Sequence, residues 1–143
     1  MYKKIVSFFL MLAITISCNA FIADAAAAKN VKVSVKLQSI DCISNNHVGN
    51  EWAFGCTVNK KDLSEGKSIV VTTTPSGKIS IVSTAEEEDS IPDVGSKTLS
   101  VSVSKLKAGK EATYTSRVTV RENRGRYSGN TAVWEFTYII KRT

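Results

Sequence analysis

The sequence predicts an all-β protein, a two-sheet antiparallel sandwich of about seven strands that follows an N-terminal signal peptide. Three observations predict it. Apolar residues recur at every second position from residue 31 onward, turn-rich stretches separate these runs, and no amphipathic helix follows the leader. The chain has 143 residues with 43% hydrophobic, 8% aromatic and 22% charged residues, and a formal charge of +6. Such a composition excludes a disordered chain, a collagen-like chain and a disulfide-dense miniprotein.

The leader comes first. Met1 to Lys4 holds two lysines and no acid, Ile5 to Ile16 is a charge-free and mostly apolar run, and alanines surround Asp24. A basic start, a short apolar run and an Ala-x-Ala site at Ala23 to Ala25 read as a secretory signal peptide over residues 1–25. Polar residues interrupt the run too early for a membrane span, so no transmembrane anchor is expected in the mature form. Cys18, in Thr15-Ile16-Ser17-Cys18, offers a lipoprotein anchor as the alternative, although Thr15 stands where Leu is usual. Removal of residues 1–25 takes away Lys3, Lys4 and Asp24, so the charge falls from +6 to +5. Residues 26–143 form a single domain in this reading.

Val31, Val33, Val35 and Leu37 make the first inward face, and Ile40 and Cys42 continue it in the opposite phase, which predicts a bulge near Gln38 or Ser39. Trp52, Phe54, Cys56 and Val58 make the second. Ile69 to Thr74 is the third strand and Ile79 to Thr84 its expected hairpin partner, joined by Thr74-Pro75-Ser76-Gly77. Leu99, Val101 and Val103 follow, then Tyr114, Ser116, Val118 and Val120, then Ala132, Trp134, Phe136, Tyr138 and Ile140. Lys105 to Ala112 is read as a loop. Core packing accounts for the aromatic residues of these strands.

Two cysteines remain after the leader, Cys42 and Cys56. An even count in an exported chain predicts a disulfide between them, closing a loop whose entropy is worth about 3 kcal/mol. No CxxC pair is present, and two Cys with the single His47 are too few for a metal site.

The segments Val33-x-Val35-x-Leu37-x-x-Ile40-x-Cys42, Leu106-x-x-Gly109 followed by Tyr114, and Ala132-x-Trp134-x-Phe136-x-Tyr138 resemble immunoglobulin-like or C2-like sandwich modules of secreted bacterial proteins. As a whole the chain resembles the small exported proteins of bacilli. The resemblance implies an architecture and a secreted, extracellular location, with no activity attached. The spacing of Cys42 and Cys56 departs from the bridge of antibody domains.

Strand alternation predicts that the loops Asn59 to Lys67, Ala85 to Ser96 and Glu122 to Asn130 share one end. An acidic loop with Glu86, Glu87, Glu88, Asp89 and Asp93 would then neighbour an arginine loop. Arg124, Arg126 and Tyr127 are the candidate binding residues, two guanidinium groups around Gly125 and a ring for stacking on a sugar or peptide. Three consecutive glutamates do not give the spaced oxygens of a calcium loop, so the 86–93 segment is a weak calcium candidate and no metal or cofactor is expected. His47 with Asp41 as orienting carboxylate, or Glu86 to Asp89 as glycosidase acids, would be the residues of a hydrolase, but no nucleophile elbow, HExxH or nucleotide fingerprint accompanies them. The expectation is no catalytic residue and no enzyme. Lysine and arginine are spread along the sequence; after export, anionic cell-wall polymers or an extracellular protein are the expected partners, and nucleic acid is not. The predicted function is a secreted, non-enzymatic module binding at the cell envelope or in the extracellular matrix. A protein-binding factor or inhibitor working through the 122–130 loop is the alternative.

Overall fold

A computed structural model describes residues 29–143; the segment expected to be a signal peptide, residues 1–25, lies outside the described residues, and Cys18 with it. Eight strands form two antiparallel sheets. They are β1 (Val31–Asn45), β2 (Trp52–Val58), β3 (Lys61–Asp62), β4 (Ser68–Thr73), β5 (Lys78–Glu87), β6 (Asp93–Ser102), β7 (Glu111–Arg121) and β8 (Thr131–Arg142). One sheet has the order β4-β1-β8-β7 and the other β3-β2-β5-β6. A 3-10 turn, Val103–Lys105, follows β6. Among the described residues no helix is long and apolar enough to cross a membrane.

Alternation places the core as the pattern predicts. Val33, Val35 and Leu37 of β1, Val118 and Val120 of β7, and Phe136, Tyr138 and Ile140 of β8 face Ile79 and Ile81 of β5 and Val101 of β6, all buried. Burying each such side chain contributes about 1.5–3 kcal/mol against leaving it in water. The β1–β8 register shifts between Leu37 and Ser39, so the phase change at Ile40 is a bulge. At one edge β6 and β7 close the sandwich. A Cβ on Gly95 would sit 2.4 Å from the Thr119 carbonyl oxygen, so only glycine lets the strands approach there.

Three expectations are corrected. First, Ile69 to Thr74 and Ile79 to Thr84 are not hairpin partners. β4 pairs with β1 and β5 with β2 and β6, so the turn closed by Gly77 N–H to the Thr74 carbonyl at 2.9 Å carries the chain from one sheet to the other. Second, a further short strand, β3, returns on β2 through Asn59 and Lys60, which both hold positive φ, 47° and 68°. The strands thus number eight.

Third, the Cys42–Cys56 bridge is not made, and both thiols are free. Cys42 is paired with Trp134 in the β1–β8 ladder, whereas the Cys56 sulfur lies 3.4 Å from the Tyr138 hydroxyl. Trp134 and Tyr138 are four residues apart on β8, roughly 13 Å of strand, while a disulfide needs Cα atoms within about 7 Å. Cys42 is exposed at the sheet surface and Cys56 is buried between the sheets. Tyr138, also bonded to the Ser83 hydroxyl at 2.8 Å, is the hub of this small polar group in the core. Burial pushes the Cys56 thiol above its ordinary range, against the lowering effect of Tyr138.

Candidate functional site

Three loops meet at one end of the sandwich: 46–51 between β1 and β2, 88–92 between β5 and β6, and 122–130 between β7 and β8. The acidic and arginine loops are neighbours, as strand alternation predicts. The 59–67 segment is not with them. Leu63 N–H bonds to the Cys56 carbonyl at 2.9 Å and Gly66 N–H to the Leu37 carbonyl at 2.8 Å, which lays this segment along the open side between β1 and β2. The third member of the cluster is the His47 loop, placed there by the length of β1.

Asp93, 2% exposed, organises the 122–130 loop. Its carboxylate accepts the Asn123 side-chain amide at 2.6 Å and the Asn123 backbone N–H at 3.2 Å, with Arg124 at 3.8 Å. The Arg124 guanidinium also donates to the Ile91 carbonyl. Of the three candidate binding residues, Arg124 is therefore spent on fastening two loops together. Arg126 and Tyr127 remain exposed, with the guanidinium carbon of Arg126 5.7 Å from the Tyr127 ring centre. Tyr127 stacks on His47 at 4.9 Å between centroids, and this contact ties the first loop to the third.

The 46–51 loop is built from within. Asn45 accepts the Val48 N–H at 2.9 Å and donates to the Gly49 carbonyl at 2.8 Å, while Val48 inserts fully into the core. Gly49 then holds φ at +93° and lies against the Glu87 carboxyl: an added Cβ would meet Oε1 at 2.1 Å.

These loops surround a cleft of about 550 Å³ lined by Asn45, His47, Gly49, Asn50, Glu87, Asp89, Glu122 and Tyr127. Glu87 is the residue that sequence reasoning misplaced. β5 continues through Glu87 and β6 starts at Asp93, so the acidic loop shrinks to 88–92, and consecutive strand residues alternate faces. Glu86 is on the outer face, and Glu87 points inward with 5% exposure. Its Oε2 is buried and finds no hydrogen-bond partner among the described residues. Burial, and after it the carboxylates of Asp89, Glu122, Asp93 and Glu51, push the Glu87 carboxyl above the ordinary carboxylate range. The period-two phase of β5 (Ile79, Ile81, Ser83, Ala85, Glu87) is the signal that marks it.

The residues considered for hydrolysis are not assembled for it. His47 Nδ1 donates to Asn46 Oδ1 at 3.0 Å and Asp41 accepts from Ser39 at 2.8 Å, so Asp41 does not orient the imidazole. Glu86 and Glu87 point to opposite faces. Among the described residues no three His, Cys, Asp or Glu side chains converge closely enough to hold a metal ion.

The aromatic residues Trp52, Phe54, Trp134 and Phe136 of the strands pack between the sheets. Trp134 meets Trp52 at 5.1 Å and Phe54 at 4.6 Å, Phe136 is fully buried, and Phe54, 39% exposed, shows its edge at the open side. The other end of the sandwich carries most of the lysines of the described residues. Chain segments there are joined by Val103 N–H to the Gly77 carbonyl, Gly109 N–H to the Arg142 carbonyl and Thr143 N–H to the Lys32 carbonyl. Lys60, Lys78, Lys105, Lys107 and Lys110 are all exposed at this end, with Lys32, Lys141 and Arg142 beside them. Cations spread along the sequence are thus gathered by the strand order opposite the acidic cleft. Compared with known proteins, the chain matches no family model and no curated sequence.

Proposed function

We propose that the chain is an exported, non-catalytic β-sandwich module that binds at the cell envelope or in the extracellular matrix, its lysine-rich end turned toward anionic polymers. The observation that carries this reading is the division of charge between the two ends. Lysine side chains are long, strongly hydrated point charges, suited to a repeating polyanion and not to one shaped pocket. Such attraction is long-ranged and screened over about 8 Å at physiological salt. The basic, apolar and small-residue order of residues 1–25 supports delivery to the outside. Sedimentation with purified anionic wall polymer tests the reading. The protein should pellet at low salt and be released by added salt, and Lys60→Glu, Lys107→Glu and Lys110→Glu together should leave it in the supernatant. Equal pelleting of wild type and variant would refute the proposal.

A second reading, a secreted protein-binding factor or inhibitor working through the 122–130 loop, is favoured by the exposure of Arg126 and Tyr127 beside the cleft. Rigid scaffolds that converge several loops on a concave surface commonly recognise partners there. Pull-down from culture medium with wild type and with Arg126→Ala plus Tyr127→Ala tests it. Loss of a captured protein supports the reading, and an unchanged set of captured proteins removes it.

A further inference from the structure

Glu87 presents a carboxyl group that the fold buries without supplying a donor. Its cross-strand partner Asp93 has Asn123 and Arg124, whereas Glu87 Oε2 has no partner among the described residues. A buried polar atom left unpaired costs about 1–3 kcal/mol, so its retention at the floor of a cleft calls for a reason. Asp89 and Glu122 stand on the same cleft, and among the described residues the arginines of the 122–130 loop are engaged elsewhere: Arg124 is committed to Asp93 and Ile91, and Arg126 lies over Tyr127.

From this geometry we infer that the cleft receives a protonated amine or guanidinium, the head of a lysine or arginine side chain on a partner polypeptide. Asp89 and Glu122 would face the incoming charge, Glu87 would lie beneath it, and the exposed amide of Asn50 would serve the partner's backbone. The Tyr127 and His47 rings form a wall against which the aliphatic stem of such a side chain packs. The size of the cleft suits an organic head, and among the described residues no three acids converge as a bare metal ion would need. The upward push on the Glu87 carboxyl agrees with a site whose negative charges lack a counter-charge until a ligand brings one. This inference rests on the loop end being the recognition end and not on polymer binding at the other end.

Calorimetric titration of the purified protein with N-acetyl-arginine amide and N-acetyl-lysine amide tests it, with N-acetyl-glutamine amide, spermidine and calcium chloride as further arms. The two cationic amides should bind at the millimolar level and the neutral amide should not. Glu87→Gln should weaken binding about tenfold or more, roughly 1.4 kcal/mol. Asp89→Asn, at an exposed position that leaves folding intact, should weaken it in the same direction. Wild-type binding should tighten as pH rises through the Glu87 titration. The other ionisable groups facing Glu87 are the acids Asp89, Glu122, Asp93 and Glu51, with Arg124, Arg126 and His47 on the adjoining loops. Absence of binding by both cationic amides, binding unaffected by both variants, or displacement of the amide by calcium would overturn the inference. Binding of spermidine alone would identify a free polyamine and overturn the polypeptide assignment. Failure of all these arms while Arg126→Ala plus Tyr127→Ala still abolishes a pull-down would end this inference and leave the loop-end reading standing.

Discussion

Glu87 and Asp93 stand directly opposite one another in the β5–β6 ladder, and the protein neutralises only one of them. Directly opposed like charges destabilise a strand pair. Asp93 is held by Asn123 and Arg124, and through them it fixes the 122–130 loop, whereas Glu87 bears the cost of the pairing and is pushed toward its protonated form.

That asymmetry predicts a pH effect on stability. The folded chain holds the Glu87 proton to higher pH than the unfolded chain does. Between the unfolded and folded pKa values the native state therefore binds more protons, and the Glu87 contribution falls as pH rises from the ordinary carboxyl range upward. Glu87→Gln keeps the shape and removes the charge, so it should melt above wild type at neutral pH and converge with it in acid. Melting curves across pH by circular dichroism check this, and a variant less stable than wild type at neutral pH would contradict it.

Removing the Asp93 carboxylate should cost stability, where removing the Glu87 charge should restore it. Asp93→Ala takes the acceptor from Asn123 and Arg124, and should cost about 1.5–3 kcal/mol, the range for hydrogen bonds to charged groups. The loss should loosen residues 122–130 before the core. Faster amide hydrogen exchange at Glu122, Asn123 and Arg124 than in β7 and β8 is the measurement; protection unchanged in that loop would argue against the clamp.

Tyr138→Phe probes the core. It removes a hydroxyl that serves both Ser83 and Cys56 and leaves the Ser83 hydroxyl unpaired, so unfolding by urea should show a loss of about 1–3 kcal/mol. Ser83→Ala in the same background should recover part of that loss, because both partners are then apolar.

The two cysteines should differ in reactivity. Cys42 is exposed and Cys56 is buried beside Tyr138 with its thiol pushed up, so in protein lacking residues 1–25, and with them Cys18, a thiol reagent should label one site in the native state and two after denaturation. Native labelling at neither site, with a mass two hydrogens lower, would show that a bridge forms.

The sandwich was legible in the sequence because a half-buried strand must alternate, and the runs at Val33 to Leu37, Val118 to Val120 and Ala132 to Ile140 do so without interruption. Strand pairing was not legible to the same degree. Thr74-Pro75-Ser76-Gly77 has turn chemistry whether the next strand returns on the same sheet or crosses to the other, and here it crosses. Cysteine spacing likewise said nothing of level along β8, which separates Cys42 from Cys56. At the site, the nearness of the acidic and arginine loops follows from strand direction, but the inward position of Glu87 is masked in the sequence because a run of charged residues hides the end of β5. The sequence marks Arg124 as a binding residue and hides its fastening role, because its partners, Asp93 and Ile91, come from another hairpin. The gathering of lysines at one end depends on the same strand order and could not be seen in their spacing.

In the proposed division of labour the two ends of the sandwich work separately, the lysine end on anionic polymer and the acidic cleft on a basic side chain. Titrating N-acetyl-arginine amide into protein already adsorbed on purified wall polymer measures this directly. The same affinity is expected on the polymer as in solution, since the surfaces lie at opposite ends; mutual displacement of polymer and amide would show that they do not work separately.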